Sequence, residues 1–449
     1  MRIGGRTAMA VLSVLTSLLA ALSADAATRP RMLVVLPYAT VDLASDELWI
    51  GEGISQSLAL AFDQMPAVVQ VDRDRVNRLP RPDRWDDPTA LSAARVSGAD
   101  IAVYGEVRRV GPDLSIHPRL VEIKGERGER RTLDAVAVPD GALLERLAGL
   151  PAAYVRALKL TVSEGDSARA QKWASPTTSR RAFEAFVRGQ QAAQRGGQEA
   201  NETAVELLGK AIEVDPQFAV AQYTLGTVHQ SLGNLWKAHG QFRVATQLDA
   251  AYPEPYKAIG DLFFTAPRRQ LDQAIEAYSK ALAIRPFYAD AHIGLGDARA
   301  AKGEVDGAVS AYQKALTYNP LNAKVHMSLG KLYYSEKGLF YESVEAYKKA
   351  IDLDGNLVDA RMGLAEVYED KGLYQEAIGE YRKVVEQDRK HTGALYNLAL
   401  VYEKVDTKEA IALWERYIDL AGPLQSEKDW VDVAKLHLRK LRSQPDKSN

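Results

Sequence analysis

The stretch LDQAIEAYSKALAIRP, residues 271–286, decides how the chain is read. At helical spacing Ala274, Tyr278 and Ala281 share one face, with Leu282 beside them; Arg285 stands near the end and Pro286 stops the run. Much the same sentence returns at residues 305–320 (VDGAVSAYQKALTYNP), 341–355 (YESVEAYKKAIDLDG) and 374–388 (YQEAIGEYRKVVEQD). The units close at Pro216, Ala250, Pro286, Pro320, Gly355, Arg389 and Gly422, which are 34, 36, 34, 35, 34 and 33 residues apart. A self-similar unit of this length sets the architecture, because one pair of helices cannot bury its apolar face alone and must stack on neighbours.

Two further elements recur in register. A large residue followed by Leu-Gly appears as Gln222-x-x-Leu225-Gly226, His292-x-x-Leu295-Gly296 and His326-x-x-Leu329-Gly330. Ala four residues before an aromatic appears as Ala238 with Phe242, Ala274 with Tyr278, Ala308 with Tyr312 and Ala377 with Tyr381. On these residues the segment from Arg180 to Gly422 resembles the tetratricopeptide repeat (TPR) family, with roughly seven repeats. The resemblance implies antiparallel helix pairs stacked into a superhelical solenoid, small residues where helices touch, and a peptide-binding groove lined by the first helix of each pair. Three units are irregular: the first carries Arg195-Gly196-Gly197-Gln198 between its helices, the third has extra residues near Thr265-Ala266-Pro267, and the last has Trp414 at the aromatic position.

Ahead of the repeats the rhythm differs. Arg2 and Arg6, an apolar run over residues 8–22 and Ala24-Asp25-Ala26 read as a signal peptide over residues 1–26, with an uncleaved membrane anchor as the alternative. Residues 27–162 read as an α/β domain. Strands are expected at 32–36, 68–71, 101–107, 114–123 and 132–138, with turns at Gly111-Pro112 and at 125–128. One helix is capped by Ser45 and carries Ile54, Leu58 and Phe62 inward; others are expected at 88–96 and 143–160. The order βαβαβββα implies an α/β sandwich with a mixed sheet. The stretches MLVVLPY, WIGEGISQSLALAF, VVQVDRDRV, GADIAVYGEV and LSIHPRLVEIKG make this part similar to the amino-terminal domain of TolB-like proteins. That resemblance implies an envelope interaction module without catalysis. Arg73, Arg75, Arg78, Arg81 and Arg84 alternate with aspartates and read as a solvated loop. Residues 163–178 are polar and read as a linker or the lead-in to the first repeat, 179–424 as the solenoid, and 425–449 as a capping helix with a polar tail.

Composition narrows the function. The formal net charge is −2, which gives no support for a nucleic-acid partner. There is no cysteine, so disulfides, thiolate metal sites and a Cys nucleophile are excluded. No Walker loop, HExxH or Gly-x-Ser-x-Gly elbow occurs, and Gly51-Glu52-Gly53 lacks its third glycine because Gln56 stands there. The histidines are scattered; His292 and His326 hold equivalent places in adjacent repeats and read as packing residues. No catalytic, cofactor or metal site is expected, and the chain is not read as an enzyme.

What remains is the groove. Counted from each repeat's start, the fifth positions are Tyr223, Lys257, Ile293, Met327, Met362 and Tyr396. The ninth positions are Thr227, Asp261, Asp297, Lys331, Glu366 and Leu400. One row is mostly apolar and the next largely acidic; the apolar row either faces a partner or is partly covered by neighbouring helices. The expectation is a periplasmic adaptor that binds a protein or peptide through this groove, with no span after signal cleavage. The alternative is a ligand-sensing regulatory subunit of an envelope complex that uses the α/β domain.

Overall fold

A computed structural model describes residues 30–443 apart from 72–75, 77–78, 81, 83, 125–126 and 140. Residues 1–26, expected to be a signal peptide, Arg73, Arg75, Arg78 and Arg81 of the expected loop, and the tail from 444 lie outside the described residues. The chain forms two compact units that divide between Ala298 and Arg299.

The first unit opens with β1 (Arg31–Val35), β2 (Ala39–Val41), helix α1 (Trp49–Phe62), β3 (Val68–Gln70), α2 (Asp87–Ser97), β4 (Ile101–Val110), β5 (Asp113–Lys124), β6 (Arg127–Thr132), β7 (Val136–Val138) and α3 (Leu143–Leu158). The sheet is mixed, in the order β3-β1-β4-β5-β6, with β2 also on β4 and β7 also on β5. The β1–β3, β1–β4 and β2–β4 pairs are parallel, and the rest antiparallel. Ile54, Leu58 and Phe62 are fully buried, as the inward stripe required. Helix α2 starts at a reciprocal Asp86–Thr89 capping box and ends at Gly98 with φ 76°.

Local expectations fail in three places. Helix α1 begins at Trp49 with no side-chain cap, not at Ser45. The expected strand 132–138 is two strands, and Gly128 already pairs with Ile123 rather than sitting in a turn. Pro118 explains the break: it has no N–H to donate, so the ladder beside it is interrupted and only its carbonyl is used, by the Leu133 N–H at 3.1 Å. The segment 163–178 is mostly helix α4 (Glu164–Ala174), capped by Ser163, with Ala170, Trp173 and Ala174 buried. Its polar residues face outward, while Trp173 packs on Tyr252 with ring centroids 4.5 Å apart.

The repeats follow as couples. In the first unit these are α5 and α6 (Arg180–Arg195, Gln198–Val214), α7 and α8 (Ala219–Ser231, Leu235–Leu248), and α9 and α10 (Pro253–Thr265, Leu271–Ile284). The α5–α6 link is made by Gly196 and Gly197 at φ 69° and 86°, a conformation that favours glycine. One hydrophobic core runs from Leu33 in the sheet to Tyr252 in the repeats, so the α/β part and the first couples are not separated by a linker. Trp49 meets Phe183 edge-on at 6.1 Å. Arg285 adds a polar clamp: its guanidinium pairs with Glu254 at 2.7 Å, donates to the Asp63 carbonyl at 3.2 Å and lies over Tyr288 at 3.9 Å.

Helix α11 (Ala289–Lys302) contains the division between the units. The second unit continues with α12 (Val305–Tyr318), α13 and α14 (Ala323–Ser335, Phe340–Leu353), α15 and α16 (Val358–Asp370, Tyr374–Gln387), α17 and α18 (Thr392–Tyr402, Thr407–Ala421) and the capping helix α19 (Lys428–Ser443). Helix α19 buries Val431, Ala434, Leu438 and Leu441, which removes the apolar face that an end couple would otherwise expose. The Leu-Gly and aromatic elements meet in space. A Cβ on Gly226 would lie 2.5 Å from the Phe242 ring, and one on Gly330 would lie 3.0 Å from the Tyr347 ring.

Candidate groove of the repeats

In the first unit the rows converge on Asp261. Lys257, one turn earlier on α9, places Nζ 2.8 Å from Asp261 Oδ2. The Tyr278 hydroxyl, from α10, donates to Asp261 Oδ1 at 2.8 Å. Burial by itself would lower the Lys257 pKa, but the carboxylates of Asp261, Asp290 and Asp297 outweigh it and hold the ammonium above its ordinary range. Burial and the Asp261 charge push the Tyr278 hydroxyl well up, so it stays a donor. Asp261 therefore uses both oxygens within its own couple. Tyr223 is half-buried, its ring 5.7 Å from Phe242 and 5.4 Å from Tyr252; Ile293 and Asp297 are also half-buried. Tyr223 thus rests on two aromatic rings while part of it stays exposed.

The second unit presents a different surface. Met327 and Met362 on α13 and α15 are half-buried, each resting on a core cluster with part of the thioether chain still in solvent. Tyr396 on α17 is held edge-on by Trp414 at 5.0 Å, Tyr417 at 5.4 Å and Trp430 at 5.4 Å. Trp430 itself is 55% exposed, so the apolar row ends in an aromatic wall on the capping helix. Lys331 and Glu366 are exposed ninth positions. Partial burial pushes the Glu366 carboxyl above its usual range; Glu369 adds to this and Lys331 opposes it.

Two acceptors were missed in the sequence. Glu369 accepts from the Tyr381 hydroxyl at 3.0 Å, and Glu403 accepts from the Trp414 indole at 2.8 Å. Both lie three residues past the ninth position, where one further turn of the first helix reaches the same aromatic that Asp261 reaches in the third couple. A carboxylate at either position, paired with a Tyr or Trp on the second helix, was the available signal. Asn397 donates to the Tyr381 hydroxyl at 3.3 Å and so supports the ring. His292 and His326 bond the carbonyls of Pro286 and Pro320 at 2.8 and 3.3 Å, in keeping with a packing role. Gly51 is also structural: a Cβ there would lie 2.3 Å from the Tyr38 carbonyl oxygen. Among the described residues no group of three or more His, Asp or Glu is placed to hold a metal, and no helix is long and apolar enough to cross a membrane.

Comparison with known proteins finds repeat families in the middle of the array. Profiles of the TPR repeat match residues 268–303 and 296–337, and one of the tetratricopeptide repeat matches 336–392. No curated protein matches the chain. Among solved structures, the chain is similar to YrrB, a TPR protein with an unusual peptide-binding site, at 24% identity over 44% of this chain and 97% of that one, with a TM-score of 0.38. It is similar to PilF of Pseudomonas aeruginosa at 18% identity over 49% of this chain and 97% of that one, TM-score 0.43. It is also similar to TTC0263, a thermophilic TPR protein of Thermus thermophilus, at 23% identity over 42% of this chain and 99% of that one, TM-score 0.35. The repeated helix couples of residues 268–392 are tetratricopeptide repeats.

Proposed function

We propose that the chain is an exported, periplasmic adaptor that holds a protein or peptide partner in the groove of its repeats. The observation that carries this reading is the row of half-buried Met327, Met362 and Tyr396, flanked by exposed Lys331 and Glu366, on consecutive first helices. Thioether chains adapt to varied apolar shapes, and the rigid aromatic wall at Tyr396 and Trp430 supplies an anchor. The exposed charges contribute mainly to encounter rate and salt dependence. The α/β part is read as a TolB-like envelope module; what supports this is the order of its strands and helices. Export rests on the sequence of residues 1–26.

The test has two parts. A partner is recovered from envelope extract and its binding kinetics measured. Met327→Ala should speed dissociation, and Lys331→Glu should change association at low salt. If both variants bind that partner like wild type, the groove is not the binding face. Export is tested by sequencing the amino terminus of the native protein: a start near Ala27 supports it, and an intact Met1 refutes it.

A further inference from the structure

The face of the sheet that carries Tyr104, Glu106 and Arg108 bears a charge arrangement that the groove does not use. Glu106, on β4, has a side chain only 4% exposed, and three guanidiniums gather on its carboxylate. Arg108, two residues along the same strand, places Nε 2.7 Å and Nη2 2.5 Å from Oε1. Arg84, just ahead of α2, pairs with Oε2. Arg119 comes from β5, where it stands opposite Tyr104, and its Nη2 lies 3.8 Å from Oε1. Their side chains remain 50%, 41% and 31% exposed for Arg84, Arg108 and Arg119.

One buried carboxylate needs one cation to offset its desolvation. Here, among the described residues, three cations surround one anion, a local excess of two positive charges on a chain whose net charge is −2. Two oxygens cannot take up the donors of three guanidiniums, each of which has five N–H groups. The outer edges of the arginines are the parts left in solvent. Two described acids close by in the chain, Asp86 and Asp87, are already engaged. Asp86 accepts the Thr89 N–H at the start of α2, and Asp87 takes the Tyr104 hydroxyl and Arg130. Glu106 also holds the Arg108 fork in place, so little side-chain freedom remains to be lost on binding.

We infer that Arg84, Arg108 and Arg119 form a site for a phosphate monoester group. Three guanidinium edges arriving from a loop and two strands suit the several oxygens of a tetrahedral dianion better than a planar carboxylate, which one fork satisfies. The dianion would also neutralise the excess charge. The group can be carried by a free phosphate or by a lipid headgroup.

The experiment uses the full chain with two probes. Inorganic phosphate is titrated against thermal unfolding at constant ionic strength, with chloride as reference, and vesicles of phosphatidylcholine with or without phosphatidic acid are used in flotation. Wild type should be stabilised by phosphate, or float with phosphatidic acid, or both; the first response alone assigns a free phosphate and the second a lipid source. Arg119→Gln, the substitution at the longest contact with Glu106, should weaken that response on the order of tenfold, and Arg119→Lys should weaken it less. Arg84→Gln, at the most exposed of the three, gives an independent second variant. A wild type that ignores both probes overturns the inference. So does a response that is the same in wild type, Arg119→Gln and Arg84→Gln, since that would be unspecific screening.

Discussion

Two glycines in the middle of helices should respond to alanine with opposite signs. Replacing a mid-helix Gly by Ala ordinarily stabilises a helix by about 0.5–1 kcal/mol, because the backbone loses less freedom on folding. Gly240 on α8 has no atom within 4 Å of where a Cβ would lie, so Gly240→Ala should realise that gain. Gly294 on α11 is different: its Cβ would lie 2.4 Å from Cε1 and 2.5 Å from Cζ of Tyr278. The ring cannot retreat. It is 1% exposed, its far side faces Gly260, where a Cβ would lie 2.7 Å away, and its hydroxyl is tied to Asp261 at 2.8 Å. Overpacking of this kind costs about 1–3 kcal/mol and outweighs the helix gain. Gly294→Ala should therefore be destabilised by about 1–2 kcal/mol net. Urea unfolding followed by circular dichroism would read this as a midpoint below wild type for Gly294→Ala and above it for Gly240→Ala. If Gly294→Ala unfolds at or above the wild-type midpoint, Tyr278 is not wedged between α9 and α11 and the account of repeat packing fails.

Two further outcomes are expected. Burial pushes the Asp63 carboxyl from 3.8 to about 6, against the opposing pull of Arg285. A carboxyl with a raised folded-state pKa contributes stability that is full below its unfolded pKa and lost as pH rises through the folded one. Asp63→Asn should thus match wild type near pH 4 and exceed it above pH 7 by about 1–3 kcal/mol, with the gap opening between those limits; a gap that stays constant over pH 4–8 would refute the assignment. Ala308 on α12 is fully buried, and Ala308→Leu should lower stability by about 1–3 kcal/mol, read as a lower melting temperature. An unchanged melting temperature would refute the repeat register.

The repeat architecture was legible because its determinants are local. A period near 34 residues, small residues on one face and one aromatic per unit describe contacts between helices adjacent in sequence, and such contacts survive without knowledge of the rest of the fold. The Lys257–Asp261 pair is of the same kind, four residues apart on one helix. The mixed sheet was legible from its strands, apart from the three-residue β2 and the break that Pro118 makes.

Other features needed the tertiary structure, because they join residues far apart in the chain. Residues 163–178 are polar enough to read as a linker, and only the meeting of Trp173 with Tyr252 makes them part of the core. Arg285 looked like the end of a helix; its carbonyl partner at Asp63 is 222 residues away. The apolar groove row reads evenly in sequence; only the fold shows which partners half-bury each member, Phe242 and Tyr252 for Tyr223 and separate core clusters for Met327 and Met362. Glu106 and its three arginines are separated by loop and hairpin, and no periodicity joins them. Only the register of β4 against β5, which sets Tyr104 opposite Arg119, brings these charges onto one face. Sequence determines pairings that a helix or a repeat enforces by spacing; pairings across a sheet or between distant helices are decided by the fold that closes around them.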